Sequence, residues 1–526
     1  MHNDSEFPVL RTPSAAEIDR SNMAHYMTWL EQHGYGRFRS YQELHAWSVA
    51  ELDAFWQTIW EYTGVIAATP YTQVRGRKAM PGTEWFPGAR LNFAENLLRH
   101  ALRGDPDKIA ICAISESRPE FTLSRRELLR QVGAFEGWLR SVGVKPGDRV
   151  AGIVANTPEA IIAMLATASM GAIWSSASPD FGVAGIYDRF GQIEPTVLVA
   201  VNGYVYGGKQ FSRIDEVLTL KAKLPSVRAV VVIDNVPEIA IPAEPGVVSW
   251  REALASADGT QPSFTPLPFD TPLYVLYSSG TTGVPKCIVH GAGGTLLQHS
   301  KELILHGDLR PDDVFSYFTT CGWMMWNWMA SGLLTGAELV LFDGNPGHPN
   351  MDVLWAMAER KGMTHFGTSA KFIGSCRNAG LRPAASHDFS RLRVIFSTGS
   401  PLLPEDFDWI YEAVKQDVQL ASISGGTDIV SCFVGASPIL PVRRGEIQCK
   451  MLGVDVKAYN DAGEEVVGER GELVCTQAVP SMPVFFWNDP DGSRYRSAYF
   501  DRFPGVWAHG DYIMFNDHGG SVIYGR

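Results

Sequence analysis

Cysteine is scarce in this chain of 526 residues, and what there is lies scattered. Cys112, Cys287, Cys321, Cys376, Cys432, Cys449 and Cys475 form no C-x-x-C pair and no metal-ligand spacing, which argues against a disulfide framework or a thiolate metal site. They read as reduced, mostly buried thiols of a cytoplasmic protein. No apolar run reaches the roughly 20 residues that a bilayer requires. The longest, 160–174, contains Thr and Ser and reads as a buried helix. The first residues, MHNDSEFPVLRTPSAAEIDR, lack both the basic tip and the apolar core of a secretory signal. An excess of positive charge is also missing. The net charge of −12 excludes a generic nucleic-acid or anionic-membrane surface, while leaving room for a local basic pocket.

What is abundant points to a packed enzyme. The 15 Trp, 26 Phe and 17 Tyr are incompatible with disorder. The length exceeds what one core can organise, so several packed subdomains are expected. Residues 1–100 read as an aromatic-rich helical extension that closes on WFPGARLNFAENLL. Residues 101–444 then show an α/β rhythm. Continuous apolar runs at 148–155, 195–201, 227–234, 273–279, 337–342, 392–399 and 418–426 have the character of strands covered on both faces of a parallel sheet. The segment 158–174 reads as a helix with Pro158 in its first turn, and 235–270 as a Pro-rich linker. Residues 445–526 change to alternation around Asn460-Asp461-Ala462-Gly463, a hairpin signal. The expectation is an α/β fold of two mainly parallel sheets flanked by helices, with a small β-rich subdomain at the end.

The most informative segment is YSSGTTGVPK, 277–286. An apolar run leads into Ser278, Ser279, Gly280, Thr281, Thr282 and Gly283, and the segment closes on Lys286. Glycines let backbone N–H groups approach a polyphosphate, hydroxyls add donors, and one lysine supplies charge. A flexible linker would not normally follow a buried strand directly. A P-loop is excluded, because Gly280 and Gly283 are only two residues apart and Cys287 follows Lys286 where that motif needs a hydroxyl.

With this loop, STGSPLLPE, SISGGTDIV, ERGELVCT, WAHGDYI and VIYGR in that order, the chain resembles the adenylate-forming superfamily, and within it the acetyl-CoA-synthetase branch. The resemblance implies ATP, Mg²⁺ and CoA as reaction partners of a small carboxylic acid. It implies an acyl-adenylate intermediate and no nucleophilic Ser or Cys. It carries roles onto particular residues: Thr281, Thr282, Lys286 and Thr427 on phosphates, and Asp428 in the place of a magnesium-contacting Glu. Gly399, Ser400, Pro401, Ser424, Gly425 and Gly426 would line the nucleotide, Asp511 and Arg526 would hold the ribose, and Lys209 would meet a CoA phosphate. Trp323, Met324, Met325, Asn327, Thr398 and Gly425 would form the acid pocket. Relatives restricted to acetate carry a tryptophan at the position of Gly425, so its absence is expected to admit a longer acid, with Thr398 or Asn327 satisfying the β-keto oxygen of acetoacetate. Propionate or butyrate, or a non-catalytic adenylate-binding module, are the alternatives. Family members continue past the Gly-Arg pair into a mobile domain. The chain stops at Arg526, so that domain is expected to be absent and catalysis by this fragment incomplete.

Overall fold

The computed structural model describes residues 7–278 and 283–525. Two large sheets dominate it. One runs Val247–Ser249, Ala229–Ile233, Val197–Val201, Arg149–Ile153, Ile173–Ala177, Pro272–Ser278, Lys286–Gly291 and Phe485–Phe486, parallel as far as Pro272–Ser278 and antiparallel beyond. The other runs Gln419–Ser422, Val394–Thr398, His365–Ser369, Val314–Tyr317, Glu338–Asp343, Ile109–Ser115 and Phe121–Ser124, with only its last pair antiparallel. The strands Val197–Val201 and Ala229–Ile233 are buried throughout, which is why they read as unbroken apolar runs. An antiparallel sheet of Val456–Tyr459, Gly471–Cys475, Trp507–Phe515 and Ser521–Gly525 forms the β-rich end.

The N-terminal helices dock through polar as well as aromatic contacts. Tyr41 donates to the Lys450 carbonyl at 2.6 Å, and the Asn22 amide donates to the carbonyls of Ile304 and Leu309. Trp56 is fully buried in the main core. All seven cysteines are buried and unpaired. Among the described residues no helix is long and apolar enough to cross a membrane.

Three boundaries differ from the sequence expectation. The helix at 158–174 ends at Ser169, because Gly171 turns the chain with φ +81°, and Ile173–Ala177 is already the next strand. The expected linker 235–270 supplies the edge strand Val247–Ser249 and the helix Trp250–Ser256, which Ser249 caps together with Glu252. The run 418–426 divides: Gln419–Ser422 stays in the large sheet, while Ser424–Gly426 pairs with Ser431–Gly435 in a separate hairpin.

Candidate active site

A cleft of about 550 Å³ opens where strands of both large sheets end. Ser278, Thr398 and Ser422 are each the last residue of a strand, and all three line it. Ligands of open α/β sheets bind beyond the carboxyl ends of the strands, where the outgoing loops part and leave a crevice.

One end of the cleft is polar and tightly tied. Lys286 opens the strand Lys286–Gly291 and donates to Asp428 Oδ1 at 3.0 Å. The Tyr499 hydroxyl donates to the same oxygen, and its ring stacks on Trp507 with centroids 3.6 Å apart. Burial alone would raise the Asp428 carboxyl. The charges of His509 and Lys286 and the hydrogen bonds from Tyr499 and Lys286 outweigh it and bring the group down to about 2. Asp428 is therefore an ionised oxygen donor at neutral pH, although only 4% exposed. Thr427 beside it is fixed through its carbonyl, which accepts from His290 Nε2 at 2.8 Å. Burial holds His290 at about 4, so its ring is neutral.

The middle of the cleft lies between two backbone segments. Gly399 turns with φ +94°, a conformation that strains any residue with a side chain, and Ser400 and Pro401 follow it along the wall. Ser424, Gly425 and Gly426 form the facing hairpin, and Asp511 lines the same space. His509 Nε2 stands 3.5 Å from Asp511 Oδ2. The Ser278 hydroxyl is buried with no hydrogen-bond partner among the described residues, an orphaned donor suited to a bound oxyanion. An ionised Asp428, this hydroxyl and the glycine-lined wall fit a nucleotide phosphate and its magnesium ion.

The other end is apolar. Trp323 precedes the helix Met324–Ala330 and packs over Gly399, and Met324, Met325 and Thr398 complete the wall. Two expectations are corrected here. Asn327 is not among the lining residues and is 1% exposed: it sits one turn beyond Met324, deeper in the buried helix Met324–Ala330. Gly425 lines the cleft, but a Cβ on it would run into the partner strand of its own hairpin. That atom would stand 2.6 Å from Cys432 Cα and within forbidden contact of the Ser431 carbonyl oxygen. The glycine allows close pairing of the two hairpin strands, and on this backbone there is no room for the capping side chain whose absence was expected to open the pocket.

Ser279, Gly280, Thr281, Thr282 and Arg526 lie outside the described residues. Gly283 has φ +83° and is exposed. Lys209 is exposed on the hairpin Gly203–Tyr206 with Lys209–Ser212 and is not among the residues lining the cleft. Sequence reasoning missed Tyr499 and His509. His509 carried a usable signal, standing two residues before Asp511 in an extended segment. Tyr499 lies 71 residues from Asp428, and nothing in RYRSAYF marks it.

Comparison with known proteins gives two family matches: "AMP-binding enzyme" over residues 98–480 and "Acetyl-coenzyme A synthetase N-terminus" over 41–97. The chain is 49% identical to an acetoacetyl-coenzyme A synthetase of Rhizobium meliloti (strain 1021), over 98% of this chain and 79% of that protein. It is 40% identical to the malonamoyl-CoA synthetase vrtB of Penicillium aethiopicum, over 94% of this chain and 71% of that protein. The solved structure of acetoacetyl-CoA synthetase from Streptomyces lividans superposes with a TM-score of 0.94 at 47% identity, covering 98% of this chain and 80% of that one. These matches do not establish the expected absence of a further domain.

Proposed function

This chain belongs to the AMP-binding enzyme family, and from that premise we propose that it is an AMP-forming ligase that activates acetoacetate with ATP and passes the acyl group to CoA. The observation that carries the reading is that Asp428, bonded by Lys286, lines the same cleft as the wall of Trp323, Met324, Met325 and Thr398. A triphosphate at the polar end would bring its innermost phosphorus to an acid held at the apolar end.

In this reading the acid's carboxylate oxygen attacks the α-phosphorus, pyrophosphate leaves, and an acyl-adenylate remains; CoA thiolate then displaces AMP. The protein contributes position and charge rather than a covalent intermediate. Lys286 exchanges its bond to Asp428 for the phosphates. Thr427, Ser278, Ser279, Gly280, Thr281, Thr282 and Gly283 are assigned to the phosphates. Gly399, Ser400, Pro401, Ser424, Gly425 and Gly426 flank the nucleoside, Asp511 and Arg526 hold the ribose, and Lys209 meets a CoA phosphate. A magnesium ion on Asp428 would neutralise phosphate charge.

The relatives' names favour acetoacetate: acetoacetyl and malonamoyl groups both carry a carbonyl at the β position. Thr398, half-buried in the wall, supplies a hydroxyl that could donate to it. We also assign the chain to an N-terminal extension of 1–100, a core of 101–444 and a β-rich unit of 445–526. The test is acid-dependent pyrophosphate release from ATP, comparing acetoacetate with butyrate. Preference for acetoacetate is expected. A clear preference for butyrate would overturn the β-keto assignment, and no release with either acid would count against ligase function.

A further inference from the structure

Behind the acid end, one buried carboxylate holds both walls. Glu302 is 1% exposed and lies in a π-helical turn, Lys301–His306, that continues the helix Ala292–Ser300. It accepts from Trp328 Nε1 at 2.8 Å, from the Cys432 backbone N–H at 2.9 Å, and from the Ser431 hydroxyl. Trp328 belongs to the helix Met324–Ala330, whose first residues line the cleft. Ser431 and Cys432 belong to the hairpin that carries Gly425 and Gly426 on the facing side.

His299, three residues earlier, makes a second bridge of the same kind. Its Nδ1 pairs with the Ser331 hydroxyl and its Nε2 donates to the Val430 carbonyl, each at 2.7 Å. The chain between these grips is strained. Val430 has φ +48°, a left-handed conformation that a β-branched residue adopts only under constraint. Asp428 stands two residues before it. π-Turns occur often at functional sites, because the extra residue re-aims the side chains that follow.

We propose that Glu302 is a positioning residue that sets the gap between the Met324–Met325 wall and the Gly425–Cys432 hairpin, and so the length and shape of acid the cleft accepts. The proposal rests on the acid-pocket reading above. One carboxylate thus joins Trp328 of one wall to Ser431 and Cys432 of the other and is their shared pivot. A neutral amide can accept at only one of its two positions, and Glu302→Gln would leave one donor facing an NH₂ group.

The test measures binding of acetoacetyl, acetyl and butyryl sulfamoyl-adenosine to residues 1–526 by calorimetry, for wild type, Glu302→Gln, Trp328→Phe and the double variant. Each single variant is expected to change the acetoacetyl-to-acetyl affinity ratio by about fivefold or more, with the double variant no worse than Glu302→Gln because both act through one carboxylate. Should Glu302→Gln fail to fold, Trp328→Phe, which leaves the other two bonds intact, carries the test. An equal loss for all three ligands, an unchanged ratio, or additive effects would overturn the proposal while leaving the pocket in place. If wild type binds no acyl analogue better than plain sulfamoyl-adenosine, the acid-pocket reading and the proposal fall together.

Discussion

The two ends of the cleft are built in opposite ways. At the phosphate end, the functional groups hold one another: Lys286, Asp428 and Tyr499 are joined directly. At the acid end, Met324, Met325 and Gly425 have no such ties, and their backbones are fixed from behind by Glu302 and His299. A charged site can order itself through its own ion pairs, whereas an apolar wall has to borrow its geometry from buried polar groups outside it. Substitutions should therefore act locally at the first end and through the backbone at the second.

The largest effect is expected from Gly425→Trp. The side chain would enter the backbone of Ser431 and Cys432, so the hairpin should open and folded protein be lost, read as a collapse of the cooperative melting transition. A stable variant with acetate selectivity would show instead that the residue caps the pocket. Next is Asp428→Asn, which keeps the shape but removes the charge held against Lys286. Acyl-adenylate formation should fall about 10²- to 10³-fold, in the range for losing one preorganised electrostatic group, with the acid's own affinity little changed. A comparable loss of acid affinity would erase the distinction between the two ends.

These contrasts also mark what the sequence made legible. That Gly399, Thr427, Asp428 and Asp511 share one cleft could be anticipated because each sits in a short segment whose glycines, hydroxyls or carboxylates state their chemistry locally. The parallel sheets were readable from continuous apolar runs for the same reason. The close pairing at Gly425 was missed because it depends on the register with Ser431–Gly435, which composition does not encode. Asn327 was misread because depth along the buried helix Met324–Ala330, which composition does not encode, takes it out of the cleft wall. Tyr499 and Glu302 act across 71 and 129 residues, respectively, and no local pattern announces such partners.

A smaller effect is expected from Thr398→Val, which keeps volume but removes the hydroxyl. The preference for acetoacetate over butyrate should drop about tenfold, consistent with roughly 1–3 kcal/mol for a buried carbonyl left unpaired. Equal losses for both acids would show that Thr398 only shapes the wall.

A test that leaves the cleft's residues unchanged is pH. Burial holds His45, His290, His299 and His365 at about 4 and His306 at about 3. The unfolded chain takes up these protons near pH 6.5, so it binds more protons than the fold between about 6.5 and 4, and stability is lost as pH falls through that window, by at most about 1.4 kcal/mol per unit per histidine. Asp428 is depressed, so its contribution is complete above its unfolded value and is lost only as pH falls towards about 2. Melting temperature should therefore drop between pH 6.5 and 4.5, while Asp428 stays ionised in the remaining folded molecules. A flat melting profile would contradict the neutral, buried state of these rings.

The most direct measurement is the structure of this chain bound to acetoacetyl sulfamoyl-adenosine. The adenosine should lie along Gly399–Pro401, the sulfamate between Lys286 and Thr427, and the acyl tail between Met325 and Thr398. Occupation of another cleft, such as the one lined by Arg77, Trp85 and Asp270, would contradict the account.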